Sequence, residues 1–361
     1  MRRVLLLLTA LLLLVPTTAA AGTPTLTLAG ALALAEAHNP GLKLAEYQVA
    51  SARNTWATAP AQAASIGPAA ALYAQVQYGI TLPRTAIAPE EATRQAQINF
   101  EGAVVQYYKA QQQVRLGTLQ AFVEWQKAHA LVAAQESALA RATTQESQVR
   151  TAFDAGAVAR FDLLQAEAQV AGQKAALAGA RALRDSARAA LEQVAGQPLP
   201  EGVQPAGSLL SSADAVLPTD LQTLTVKALA RRPDLRQAAL DVTARREQAV
   251  LMGGSAGANL VQLQVAATQY EMAALKANTE VRQALEASRG ALAELQAREQ
   301  ALGPAREALR LAELRYEAGL GTYLEVQSAF AGALQADAAR IQASANLAVQ
   351  LAKLSQATGD L

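Results

Sequence analysis

The sequence predicts a mainly α chain built from duplicated, long antiparallel coiled-coil helical hairpins with a small or incomplete β-strand part. Three observations lead there. The phrase FDAGAVARFD (Phe153 to Asp162) returns 163 residues later as YEAGLGTYLE (Tyr316 to Glu325), and self-similarity at so long a spacing signals a duplicated architecture. The segments after the two phrases share a heptad seam: Leu163, Val170, Leu177 and Leu191 correspond to Val326, Ala333, Arg340 and Leu354 at the same offset. Aromatic residues make up only 4% of the chain, and alanine, leucine and glutamine dominate between a few glycine- and proline-rich joints. That is the composition of long helices.

Residues 1–21 read as a secretory signal peptide. Arg2 and Arg3 precede an apolar run from Val4 to Val15, and Ala19 and Ala21 frame a cleavage pattern. The run is shorter than the ~20 residues a membrane helix needs, and no later stretch reaches that length. An exported chain without a helical anchor is expected. With no cysteine, disulfides, thiolate metal sites and the lipid-bearing cysteine of a bacterial lipoprotein are excluded. Removing Arg2 and Arg3 from the 31 basic residues leaves 29 against 30 acidic ones. Such a balance gives no electrostatic motive for binding nucleic acid, and packing is left as the main mode of interaction.

A first repeat is expected over 22–197. Thr27 is placed to cap a helix that reaches about Trp56 and is bent or broken at Asn39-Pro40. A short β insertion is expected at about 57–89, where prolines and glycines accumulate. Within it Leu72, Ala74, Val76, Tyr78, Ile80 and Leu82 alternate with Tyr73, Gln75, Gln77, Gly79 and Thr81, the period of a strand. Helical patterning then runs from about Glu90 to Phe153, turns through 153–162, and returns from Asp162 to about Ala195. Residues 198–219, rich in proline, glycine and serine, form a linker. The second repeat covers 220–361. Arg232-Pro233-Asp234 stands 193 residues after Asn39-Pro40-Gly41, only Val261, Leu263 and Val265 suggest a strand, and the hairpin turn lies at 316–325. Alanine at the seams predicts close helix approach. Gly156 and Gly319 are expected to cap helices, with Asp162 and Glu325 complementing the dipole of the returning ones.

Along nearly its whole mature length the chain resembles the TolC-type outer-membrane efflux protein family. The residues that carry the resemblance are LTLAGALALAEAHNPGLKLAEYQVASA near the mature start, RRPDLRQAALDVTA at the start of the second half, and both hairpin turns with the LLQAEAQ and EVQSAFAG segments that follow them. The resemblance implies a channel component of a tripartite efflux or secretion system. It would be a homotrimer forming a periplasmic helical conduit, partnered by a periplasmic adaptor and an inner-membrane pump and located in the outer membrane and periplasm. It implies no catalysis, cofactor or metal. It also implies an acidic periplasmic entrance at Glu325, with Ser328 one turn on where relatives carry a second acid, and Asp162 on the other hairpin. Phe153, Gly156, Tyr316, Gly319, Leu320 and Tyr323 would form adaptor-docking hairpin tips. Glu325 also reads simply as a helix-start carboxylate.

Two strands per chain give six in a trimer, below the ~8 of the smallest outer-membrane barrels. The alternative reading is therefore a barrel-less periplasmic coiled-coil protein that does not conduct. GGSAG (Gly253 to Gly257) matches a nucleophile-elbow pattern but follows a helix, and both histidines, His38 and His129, lie upstream of it. A flexible turn is the better reading. The two histidines lack the spacing of a metal site, and Trp56, Trp125, Tyr107 and Tyr108 read as helix-packing aromatics.

Overall fold

The computed structural model describes residues 24–78, 89–218, 220–251 and 256–361. The expected signal peptide and the glycine-rich part of GGSAG lie outside the described residues. Eight helices are described: α1 (Leu28–His38), α2 (Pro40–Tyr78), α3 (Pro89–Asp154), α4 (Arg160–Ala195), α5 (Leu221–Arg231), α6 (Pro233–Leu251), α7 (Ala256–Glu317) and α8 (Tyr323–Thr358). Two short strands, β1 (Thr25–Leu26) and β2 (Gln204–Pro205), pair in parallel.

The strand expectations need correction. Residues 72–78 are the last turns of α2, and the remainder of the alternating stretch lies outside the described residues. Val261, Leu263 and Val265 are in α7. Positions i and i+4 share a helix face, so Val261 and Val265 satisfy a helical pattern as readily as an alternating one. The β structure instead fastens the chain start to the linker: Gln204 N donates to Pro24 O (2.9 Å) and Ala206 N to Leu26 O (2.7 Å).

The linker is a strap across both hairpins. Gln126 Nε2 on α3 donates to Ala206 O at 2.9 Å. Ser212 N donates to Glu299 on α7 at 3.1 Å, and Ser344 on α8, fully buried, donates to Leu210 O.

The duplication extends into the packing. Thr27 caps α1 by accepting from Gly30 N (3.1 Å), and Asp220 caps α5 by accepting from Gln222 N (3.0 Å) and Thr223 N (3.2 Å). Each short helix wedges against its hairpin. Ala31 of α1 packs with Phe122, Trp125 and Leu191, while Leu224 and Ala228 of α5 pack with Val281, Leu285 and Leu354. Phe122 and Leu285, and Leu191 and Leu354, occupy the same places at the 163-residue offset. Burying one such leucine contributes about 1.5–3 kcal/mol relative to leaving it exposed.

The helix breaks also match. Asn39 (φ −61, ψ 122) and Arg232 (φ −64, ψ 127) both take the extended conformation that a following proline imposes. Each reaches across to the end of its returning helix: Asn39 Nδ2 donates to Val194 O at 2.8 Å, and Arg232 Nη1 donates to Ala357 O at 3.3 Å. Beside these bonds stand Gly196 and Gly359, both at φ 75. A Cβ on Gly196 would sit 2.6 Å from His38 O, and one on Gly359 would sit 2.9 Å from Arg231 Cβ. The first joint is thus neutral and sterically tight. The second is ionic: Arg232, mostly buried, pairs with Asp234 (2.7 Å) and Glu280 (2.6 Å), and Asp360 pairs with Arg231 and Lys227.

The long helices lie side by side. Toward the connections 79–88 and 252–255 the order is α2, α3, α6, α7, and toward the hairpin tips it is α4, α3, α8, α7. α3 (66 residues) and α7 (62 residues) run through both levels, each on the order of 100 Å long at ~1.5 Å per residue. α7 continues through Pro304, whose ring removes one ladder bond. Arg340 of the second seam and Arg184, its equivalent to within one heptad on α4, lie partly exposed, paired with Asp337 (3.5 Å) and Asp185 (2.8 Å).

Gly196→Ala is expected to destabilise the chain by about 2 kcal/mol or more, since a left-handed alanine costs ~1–2 kcal/mol before the clash with His38 O. Gly179→Ala, in a helix interior with nothing within 4 Å of the new Cβ, is expected to be neutral or to gain ~0.5–1 kcal/mol. Urea unfolding followed by circular dichroism measures both. At Asp234 burial pushes the carboxyl up, but the hydrogen bonds and charge of Arg232 outweigh it and hold it below its ordinary value. A depressed folded-state value supplies stability above the unfolded carboxylate range, lost as pH falls through the folded one. Asp234→Asn should therefore lower the urea midpoint at about pH 7, with the difference from the parent shrinking as the pH falls below about 4.

Candidate functional site

The hairpin tips are the sites the sequence singled out, and both are built by the same backbone device. α3 ends as Gly156 N donates to Phe153 O (2.8 Å) and Ala157 N to Ala152 O (2.8 Å). α7 ends as Gly319 N donates to Tyr316 O (3.0 Å) and Leu320 N to Arg315 O (2.8 Å). These are the paired bonds of a Schellman end, which needs a left-handed residue just past the helix. Gly156 (φ 74) and Gly319 (φ 69) supply it.

The returning helices start differently. Thr322 caps α8, accepting from Glu325 N at 3.3 Å, whereas Ala159 precedes α4 without a side-chain cap. Glu325 and Asp162 both fall in the first turn, where a carboxylate complements the helix dipole. Glu325 is exposed, and Arg315 at the end of α7 lies 3.7 Å from its Oε2 while donating to Leu320 O at 3.3 Å. The Glu325 carboxylate therefore carries its own counter-charge. Ser328 is exposed on α8, one turn on.

Tyr316 and Tyr323 bring the two tips together. Their rings stand 5.7 Å apart, and Tyr323, only 3% exposed, packs with Val149 and Ala166 of the first hairpin, flanked by Leu163 and Val158. Burial pushes the Tyr316 hydroxyl above its ordinary value and the Asp162 charge pushes it the same way. For Tyr323 burial again comes first, opposed by a hydrogen bond with Gln327 and reinforced by Tyr316 and Asp162. The structure thus joins Asp162, Tyr316 and Tyr323 in one cluster between hairpins. Glu325 and Ser328 stand on the exposed surface. Phe153 is half-buried, Gly156, Gly319 and Leu320 are exposed, and Tyr323 faces inward, away from any docking partner.

Sequence reasoning missed Phe161 (65% exposed) and Leu324 (64% exposed), which occupy the same place in the two tips. The signal was present: an apolar residue directly precedes the acidic one in both phrases.

The tips belong to a layer with two uncovered sides. On the array's helices, large exposed apolar side chains sit on α2 (Leu44, Tyr47), α4 (Phe161, Leu164, Leu183) and α7 (from Leu260 to Leu314). Those three helices are the layer's edges. Among the described residues the inner helices expose only Tyr108 on α3 and Leu324 at the start of α8 in this way. On α7, Val261, Val265, Met272 and Leu275 fall on the alternating three- and four-residue spacing of a coiled-coil seam. Among the described residues no helix is long and apolar enough to cross a membrane, and no group of metal-ligating side chains is found.

The sequence matches the family described as "Outer membrane efflux protein" over residues 88–197 and 254–360. These two ranges cover the helical hairpins. Solved structures share the fold. The Campylobacter jejuni CmeC outer membrane channel is similar at 16% identity with a TM-score of 0.72, covering 92% of this chain and 85% of that one. The outer membrane protein VceC of Vibrio cholerae stands at 17% and 0.66, covering 92% and 96%. The open state of the Neisseria gonorrhoeae MtrE outer membrane channel stands at 20% and 0.66, covering 92% and 88%. No curated protein matches the sequence.

Tyr316 Oη is buried and has no hydrogen-bond partner among the described residues. Tyr316→Phe is therefore expected to leave stability unchanged or raise it by up to ~1 kcal/mol, since a buried unsatisfied hydroxyl is removed. Tyr323→Ala is expected to cost about 3–5 kcal/mol by opening a cavity between the hairpins. Thermal unfolding of the two variants makes the comparison.

Proposed function

This chain belongs to the outer membrane efflux protein family, and on that premise we propose that three copies close edge to edge into a hollow helical conduit in the periplasm. A periplasmic adaptor and an inner-membrane pump would deliver cargo to its tip end, and the conduit would lead it to the outer membrane. It is a passive path and catalyses nothing.

One observation carries this reading: on the long helices of the layer, most of the large exposed apolar side chains lie on those that lack a second neighbour. An open layer leaves both edges wet, and a heterologous contact repeated by rotation closes into a ring and buries them. The tip end would be the entrance. Three copies of Glu325 around the axis would favour cations, restrained by Arg315 beside each. The exposed Leu320, Phe161 and Leu324 would offer apolar contacts to the adaptor beside Phe153, Gly156, Tyr316 and Gly319, while Tyr323 holds the tips together from within.

A second reading rests on the opposite end. α2 is helical through Tyr78 and α7 from Ala256, which favours a conduit that stays periplasmic and meets the membrane through another component.

Light scattering on the mature chain, with and without detergent, tests both readings. Three copies requiring detergent support the membrane-seated conduit, and three copies without it support the periplasmic one. A single copy in both conditions sinks the ring. In reconstituted channels Glu325→Ala is expected to reduce cation selectivity about two- to fivefold, the size of a partly screened surface charge, and unchanged selectivity would remove Glu325 from the entrance.

A further inference from the structure

We infer that the joint between neighbouring copies is a knob-in-pocket contact, in which Met272 and Leu275 on α7 of one copy fill the cavity between α2 and α3 of a second copy of this chain. This rests on the ring proposed above and assigns its contact surfaces.

The cavity measures about 670 Å³. Val49 and Ala50 of α2 and Val104, Tyr107 and Tyr108 of α3 form much of its apolar lining, and the α2 side runs from Glu46 through Arg53 to Ala57. It lies beside α2, an edge helix of the layer. On the opposite edge Met272 is 58% and Leu275 is 68% exposed. Those are large apolar groups with no cover in one copy, and a cavity of this size takes both side chains.

Height decides whether knob and pocket can meet. Rotation about an axis along the helices keeps every residue at its own level, so a closing contact must join groups already level within one copy. Two further cavities supply the scale. One is lined by α3 from Gln95 to Gln106 together with α7 from Gln262 to Gln269. The next is lined by α3 from Lys109 to Leu116 together with α7 from Glu280 to Ala287. On α3, Tyr107 and Tyr108 of the pocket fall between these levels, after Gln106 and before Lys109, and therefore stand level with the α7 segment between Gln269 and Glu280. Met272 and Leu275 are in that segment.

Charge agrees with the same register. Trp56 of α2 stacks on Phe100 of α3 at 5.4 Å, so α2 rises toward the distal connections as α3 descends from them. Arg53 is thus distal to Val49 and Ala50, and Glu46 lies on their other side. On α7, which also descends, Glu271 is distal to the knobs and Lys276 lies beyond them. Arg53 faces Glu271 and Glu46 faces Lys276. All four are exposed. Glu46, Arg53 and Glu271 form no ion pair among the described residues, and Lys276 makes only a 3.7 Å pair with Glu280. The opposite register would set like charges against each other.

The chain contains no cysteine, so paired cysteines report the contact without background. Ala50→Cys combined with Leu275→Cys, treated with a short bis-maleimide, is expected to give a covalent ladder ending at three chains. Either cysteine alone should give no ladder beyond two chains. Ala50→Cys combined with Thr243→Cys, which moves the second thiol to inner helix α6, should also give none. Met272→Asp with Leu275→Asp is expected to weaken assembly at least about tenfold, the loss of a central apolar anchor. Glu46→Lys should weaken it about two- to fivefold, and adding Lys276→Glu should recover the loss. If the unmodified chain assembles by light scattering but the 50/275 pair stays uncrosslinked, this contact is overturned while the ring survives. If the unmodified chain is a single copy, both fail together.

Discussion

A layer one helix thick buries a helix only where it has a neighbour on each side, and nearly everything else in this molecule follows from that constraint. α3 sits between α2 or α4 on one side and α6 or α8 on the other. α8 sits between α3 and α7 with the strap across it, and twelve of its residues are buried. Its counterpart α4, at an edge, buries only half as many, from Ala166 to Ala195. The two helices occupy equivalent places at the 163-residue offset and share a heptad seam, so position in the layer accounts for the difference. The same rule explains why apolar side chains remain uncovered on α2, α4 and α7. A single chain cannot cover them. Another copy of the same edges can.

Duplication supplies a second principle. Two hairpins with equivalent wedges, breaks and glycine ends generate a layer twice as wide as either, but the joints have diverged. The first closes through a hydrogen bond donated by the Asn39 side-chain amide and a backbone approach that tolerates only glycine at 196. The second closes through Arg231 and Arg232 against Asp234, Glu280 and Asp360. A buried guanidinium with two carboxylates is held only while both are ionised and well placed. The second joint is therefore the one that answers to acid. At the tips the asymmetry reverses, since the second hairpin alone contributes the inward Tyr323 that packs on Val149 and Ala166 of the first.

Much of this was legible in the sequence. The repeated phrase located both turns, the 163-residue offset paired the hairpins, and proline after Asn39 and Arg232 marked both helix breaks. Heptad spacing identified buried positions such as Val170, Leu177 and Leu354. What failed was period-two reasoning at 72–78 and 261–265, because alternating apolar residues include i, i+4 pairs that a helix also uses. The true β pair is two residues per strand and links segments 179 positions apart, Thr25 with Gln204, too little and too distant for a local pattern to show. Asp162, Glu325 and the capping glycines were placed from turn chemistry alone. The cluster of Asp162 with Tyr316 and Tyr323 could not be, since it depends on how one hairpin lies against the other.

Cryo-electron microscopy of the purified mature chain tests the central claim most directly. Averages viewed along the helix axis should show a closed three-fold ring of helices around an open centre, with α7 of each copy against α2 of the next. A single open layer, or a solid bundle with the α2 and α7 edges buried against anything other than each other, would contradict the account.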